Sequence, residues 1–195
     1  MRLYIDLDDT VKETSRYLDK VIKSNKLPLG EKNKLYSIIS EDFFVREVLC
    51  NWGVIPFCSG AINSLKLLET EYEIVFCSKY MFEDEARQKK EFANFMGKEL
   101  YLFPTSSDLD KSSMDMSGGI LIDDNLDVLL NSNADSLYEM YNDFKGIDIL
   151  KPRPENCSVV TWYSLVDTLL GGSEENENTR RVVYQGVQRQ YQGAR

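Results

Sequence analysis

The sequence predicts an α/β protein: a mainly parallel sheet flanked by helices, with a small helical segment inserted after the first strand. Three observations predict it. Short apolar runs at 2–7, 74–77 and 119–122 end abruptly in acidic or polar residues. Stretches of helical period lie between them. Strands alternating with helices build βα units, whose crossovers are right-handed. At 195 residues and 43% hydrophobic, the chain can fill one sizeable core.

Taken in order, residues 2–7 alternate and then stop at Asp8-Asp9-Thr10, which reads as a strand with carboxylates at its end. Over 12–26, Tyr17, Leu18, Val21 and Ile22 recur at helical spacing, and Leu27-Pro28-Leu29-Gly30 breaks that helix. Two further helical stretches follow, near 31–40 and over 41–49. An amphipathic helix starts at Ser59-Gly60 and carries Ala61, Ile62, Leu65, Leu67 and Leu68 on one side. The continuous run Ile74-Val75-Phe76-Cys77 suits a strand buried on both faces. A helix over 82–96, a strand over 99–103 stopped by Pro104, and a Ser-rich loop over 104–117 come next. The strand at 119–122 ends in Asp123-Asp124. A helix over 125–131, a strand over 136–141 and a closing helix over 160–170 complete the fold. Beyond Gly171-Gly172, residues 173–195 are polar and lose all apolar period, as a disordered tail does.

Composition excludes several chemistries. The chain has no histidine, which removes Ser-His-Asp and Cys-His nucleophiles and His-ligated zinc or iron. Its formal charge of -9 argues against a nucleic acid polymer as partner, since that affinity comes from Lys and Arg on phosphates. No stretch approaches the roughly 18 apolar residues of a membrane span, and the N-terminus does not read as a signal peptide. Cys50, Cys58, Cys77 and Cys157 show no C-x-x-C spacing, so reduced thiols in the cytoplasm are expected.

Ligands of open α/β sheets bind beyond the carboxyl ends of the strands. There this sequence sets Asp6, Asp8, Asp9 and Thr10, then Ser78 and Lys79, then Lys111, then Asp123 and Asp124. Hard carboxylate oxygens suit Mg2+, and a hydroxyl and an ammonium suit phosphoryl oxygens. Asp6 and Asp8 are two apart, so one can be a nucleophile while the other stays within proton-transfer reach. The metal-bound carboxylate is expected to stay ionised and its neighbour to be raised enough to donate a proton. Singly, each feature has a plainer reading. Asp8-Asp9-Thr10 and Asp123-Asp124-Asn125 could cap helices. Ser78 alone says little, and Lys111 alone reads as a solvated loop lysine. Lys89 and Lys90 could reach a substrate phosphate but read more readily as solvated helix-surface lysines, and Trp52 and Trp162 read as packing.

Together the four segments resemble, in order, the motifs of the haloacid dehalogenase-like (HAD) phosphohydrolases. Asp6-Leu7-Asp8-Asp9-Thr10 resembles the first, Ser78 the second, Lys111 the third and Asp123-Asp124 the fourth. Phe76-Cys77-Ser78, Asp110-Lys111 and the segment Ile120-Leu121-Ile122-Asp123-Asp124-Asn125-Leu126-Asp127 are similar to the 5'(3')-deoxyribonucleotidases of that superfamily. Departures are Thr10 for a valine, Asp9 for a glycine and Ser78 for a threonine. The resemblance implies a Rossmann-like HAD core over 1–10 and 60–172, with residues 11–59 as a small helical cap. It implies Asp6 as nucleophile, Asp8 as acid/base, and Ser78 and Lys111 as catalytic phosphoryl ligands. Mg2+ would be held by Asp6, the Asp8 carbonyl, Asp124 directly, and Asp123 as ligand or water-holder. Phe43, Phe44 and Val45 resemble the base-contacting patch, with Ser78, Lys79 and Lys111 completing the substrate site. The implied substrate is a nucleoside monophosphate, deoxy forms preferred; a sugar phosphate or other small phosphate ester is the alternative. A homodimer is allowed, and no membrane partner is expected. A receiver-like signalling domain uses a similar inventory, but it needs an acceptor aspartate ending a second strand, and Asp42 lies in a helical stretch.

Overall fold

A computed structural model describes residues 1–25, 34–109, 111–144 and 150–171, with backbone alone for 25 and 34–41. The break at 27–30, Asp110 and the tail at 173–195 therefore lie outside the described residues. Six strands form one parallel sheet: β1 (Arg2–Ile5), β2 (Glu73–Tyr80), β3 (Glu99–Pro104), β4 (Ile120–Asp123), β5 (Ser136–Met140) and β6 (Cys157–Val160). Their order is β3-β2-β1-β4-β5-β6. The helices are α1 (Thr14–Asn25), α2 (Lys34–Cys50), α3 (Ala61–Leu68), α4 (Glu83–Met96), α5 (Leu126–Asn131) and α6 (Trp162–Leu170). The expected α/β class and parallel sheet are what the chain forms.

The two-residue period of the strands divides the core into two. Leu3 and Ile5, Ile74 and Phe76, and Ile120 and Ile122 face one side, where they pack with Val48, Trp52, Leu65 and Trp162. Tyr4, Val75, Cys77 and Leu121 face the other, against Met116, Leu126 and Leu129. Each fully buried Leu, Ile or Phe contributes about 1.5–3 kcal/mol. A sheet covered on both faces needs such continuous apolar strands. Three of the four free cysteines, Cys58, Cys77 and Cys157, are buried within these layers.

Two elements differ from expectation. The helical stretches near 31–40 and 41–49 are one helix, α2, which packs against α1 and α4. The sixth strand, Cys157–Val160, was not foreseen. Val160 reads as the first turn of the closing helix, yet it ends β6, and the helix starts at Trp162 behind a capping box of Thr161 and Ser164. With Ser158 and Val159 both exposed, this edge strand lacks the alternation that announces a half-buried one.

The chain runs from β1 outward through β2 and β3, then returns to the opposite side of β1 for β4, β5 and β6. The switch point therefore lies between the carboxyl ends of β1, β2 and β4. Ile5 pairs with Phe76 on one side and Ile122 on the other. Asp6, the next residue, is thus level with Cys77 and Asp123.

Candidate active site

The strand ends supply an acidic cluster. Asp6 follows β1, and its N–H donates to the Ile122 carbonyl at 3.0 Å, which holds it beside the end of β4. There Asp6 meets Asp123 and Asp124, with one carboxylate oxygen from each lying within 4.8 Å of the others. Lys111, in a 3-10 turn at Lys111–Ser113, is buried and reaches both sides. Its Nζ donates to Asp6 Oδ1 at 2.6 Å and to Asp123 Oδ2 at 2.5 Å. Burial raises the Asp6 carboxyl well above the usual carboxylate range. Lys111 opposes that rise, while Asp123, Asp124 and Asp8 add to it. Burial would lower the Lys111 ammonium, but Asp6 and Asp123 hold it well above its ordinary value.

Asp8 sits in a separate nest. The chain turns over at Asp9, whose φ of +54° lies in the left-handed region that Asp enters more readily than most residues. The Asp9 carboxylate accepts from the N–H of Ser15 at 2.7 Å and from its hydroxyl, fastening the turn to the start of α1. Asp8 Oδ1 accepts from Thr14 Oγ1 at 2.7 Å and from the indole Nε1 of Trp52 at 2.8 Å. Its Oδ2 accepts from Ser78 Oγ at 3.2 Å and from Lys89 Nζ. Lys89 also reaches Glu85 at 2.7 Å, Ser78 Oγ at 3.1 Å and the Lys79 carbonyl at 2.6 Å.

This geometry corrects two expectations. Lys89 is not a surface lysine: its side chain is 0% exposed, because α4 turns Glu85, Ala86, Lys89 and Ala93 inward as one stripe. Trp52 packs but also bonds a carboxylate. Burial would raise Asp8, but Lys89, Thr14 and Trp52 together bring its carboxyl below the ordinary value.

The structure brings Asp6, Asp8, Ser78, Lys111, Asp123 and Asp124 together at one edge of the sheet. Lys79 adds its carbonyl oxygen, which accepts from Ser78 and Lys89. Phe43, Phe44 and Val45 lie on α2, where the two rings meet edge to face at 5.6 Å and Phe43 is exposed. Lys90 is exposed, as expected. Sequence reasoning missed the contributions of Thr14, Trp52 and Glu85 and set aside that of Lys89 in favour of a solvated lysine. For the last two a signal existed: Glu85 and Lys89 are four apart and in phase with Ala86 and Ala93, a spacing that places a charged pair on the buried face. Asp42 lies within α2, so the acceptor strand of a receiver is missing there. Among the described residues no helix is long and apolar enough to cross a membrane.

The donor set fits a divalent cation. Three carboxylates, two of them buried, converge here, and hard oxygens are what Mg2+ takes. Asp6, Asp123 and Asp124 would hold it.

No protein-family model and no curated protein sequence matches the chain. Solved structures do. A haloacid dehalogenase-like hydrolase from Burkholderia xenovorans superposes with a TM-score of 0.60 at 13% identity, over 87% of this chain and 96% of that one. A protein described as a beta-phosphoglucomutase from Thermotoga maritima gives 0.61 at 9% identity, over 88% and 99%. A HAD-hydrolase from Bacillus subtilis bound to magnesium gives 0.52 at 12% identity, over 86% and 97%. At such identities the shared property is the fold, the Rossmann-like HAD fold expected above.

Proposed function

We propose that the chain is a Mg2+-dependent phosphomonoesterase that works through an aspartyl-phosphate. The observation that carries this reading is the division of labour around Asp6 and Asp8. One carboxylate lies in an acidic cluster bridged by Lys111, and the other lies two residues away in a nest of donors. Asp6 Oδ attacks phosphorus, and the ester oxygen leaves with its bonding pair. Lys89 holds the Asp8 carboxyl low at rest, against its burial. The phosphoryl dianion, arriving beside Asp8 and drawing on Lys89, raises it. Asp8 then gives the ester oxygen a proton and takes one from the water that opens the aspartyl-phosphate. Ser78 Oγ donates to a phosphoryl oxygen. Lys111 offsets charge on the equatorial oxygens, the main electrostatic task in phosphoryl transfer. Lys89, shared between Asp8, Glu85 and Ser78, is drawn toward the same dianion. Asp6, the Asp8 carbonyl, Asp123 and Asp124 would hold Mg2+, which would supply further charge neutralisation at the phosphoryl group.

The substrate we favour is a nucleoside 5'- or 3'-monophosphate, deoxy forms first, on the segments similar to deoxyribonucleotidases. The inserted helices over 11–59 are assigned as its cap, and Phe43 and Phe44 offer rings for a base. A sugar phosphate is the second reading, favoured by the shared fold with the protein described as a beta-phosphoglucomutase. Phosphate release from a panel of nucleotides, sugar phosphates and phosphoamino acids tests both. Nucleoside monophosphates should be hydrolysed fastest, and a chelator should abolish turnover. Faster hydrolysis of sugar phosphates moves the assignment to the second reading, and no release from any ester rejects the phosphatase. Independently of activity, Mg2+ should raise the melting temperature of the native chain but not that of Asp124→Asn.

A further inference from the structure

We infer that Trp52 is a positioning residue for Asp8, and that with Thr14 it anchors one oxygen of that carboxylate so that the other is left to the reaction. The inference rests on the phosphatase reading and assigns a role that reading does not contain.

The two oxygens of Asp8 are held by different parts of the molecule. Among the described residues Oδ1 accepts from neutral donors, Thr14 Oγ1 at 2.7 Å and Trp52 Nε1 at 2.8 Å. Oδ2 faces Ser78 and Lys89, the side from which a phosphoryl group would be held. A carboxylate with two good donors on one oxygen cannot rotate without leaving a buried N–H or O–H unpaired, which costs about 1–3 kcal/mol. The donors on Oδ1 therefore fix where Oδ2 points.

Trp52 is itself held from every side. It is 0% exposed, in the short 3-10 turn Trp52–Val54 that ends the inserted helical segment. Its ring meets Phe92 of α4 edge to face at 5.7 Å. The Lys12 ammonium lies 4.6 Å from the ring centroid and donates to the carbonyls of Trp52, Gly53 and Ile55. Gln88 of α4 accepts from the N–H of Gly53 at 2.6 Å and donates to the carbonyl of Cys50. These ties give the indole N–H a fixed position, which is what an orienting donor requires.

The test is the leaving-group dependence of Trp52→Phe, which keeps a ring against Phe92 and deletes the N–H. Two esters are compared under Mg2+: 4-nitrophenyl phosphate, whose phenolate departs without a proton, and a nucleoside 5'-monophosphate, whose alkoxide needs one. With Asp8 misoriented, kcat on the nucleotide should fall roughly 10- to 100-fold. Turnover of the aryl ester should fall less than about 3-fold, and KM for both should stay near its original value. Thr14→Val removes the other donor to Oδ1 and should give the same selective loss; it carries the comparison if Trp52→Phe does not fold. Equal losses on the two esters, or a change confined to KM, would overturn the positioning role. Failure of the unaltered chain to hydrolyse these two esters or any other ester of the panel would overturn the phosphatase reading itself.

Discussion

The two carboxylates at the end of β1 are two residues apart and live in opposite surroundings. Around Asp6 carboxylates gather: Asp123 and Asp124 each bring an oxygen within 4.8 Å, and Lys111 bridges Asp6 and Asp123. Around Asp8 donors gather: Lys89 pairs with both Asp8 and Glu85, and two neutral donors hold the other oxygen of Asp8. Clustered hard oxygens are the surroundings that suit a dication, whereas a carboxylate ringed by donors is held in one orientation.

The sharpest way to break this contrast is to neutralise each acid in turn. Asp6→Asn should lose on the order of 10⁴-fold in turnover or more and bind Mg2+ more weakly, as read by metal-dependent melting. Asp8→Asn should lose roughly 10²- to 10⁴-fold in turnover while keeping the Mg2+-induced shift. Equal loss of the shift in both variants would mean that the two surroundings are one site.

Next in size is the stability of the donor-rich region. Lys89→Met leaves Asp8 and Glu85 buried without their cation and should destabilise the chain by about 3–5 kcal/mol in denaturant titrations. A loss below about 1 kcal/mol would mean that water reaches the pair and that the nest is open.

Lys12 gives a smaller effect with a pH signature. Burial lowers its ammonium to about 8 against the pull of Asp8, from an ordinary 10.5. Between those values the unfolded chain carries a proton that the folded chain has released, so this group makes stability rise with pH from about 8 to 10.5 and level off above. Unfolding midpoints for native and Lys12→Met proteins should therefore diverge across that window, with the native chain gaining. A constant gap would show that the three carbonyls keep the ammonium charged throughout. The smallest effect belongs to Arg2–Glu73, a bidentate pair on the exposed start of the sheet. Arg2→Ala should leave the melting temperature unchanged at moderate salt, because water and ions already screen the pair.

The acidic cluster was legible in the sequence because strand ends are legible. Apolar runs that stop at Asp6, Ser78 and Asp123 put those residues at one edge of any parallel sheet, whatever the details of packing. The nest around Asp8 was less so. Trp52 lies 44 residues from its carboxylate and Lys89 lies 81, and neither contact leaves a local period. Lys89 misled for a further reason: its neighbour Lys90 is exposed, and two adjacent lysines read as one solvated pair although a helix points them 100° apart. The edge strand β6 escaped because its outward residues, Ser158 and Val159, break the alternation that would have marked it. What the sequence hides in this chain are partnerships made across the fold by side chains whose own neighbourhoods look ordinary.

The thiol of Cys77 immediately precedes Ser78 on β2. Burial drives that thiol upward, Asp6 and Asp123 add to the effect, and Lys111 does not reverse it. Cys58 is raised in the same way, by burial first and then by Glu13 and Asp9. Sulfur reacts as thiolate, so at neutral pH these two cysteines present neither a nucleophile to alkylating reagents nor an easy target to peroxide. Carboxylates, an ammonium and a hydroxyl do not change oxidation state either. The carboxyl edge of this sheet thereby offers little to the redox poise of its surroundings.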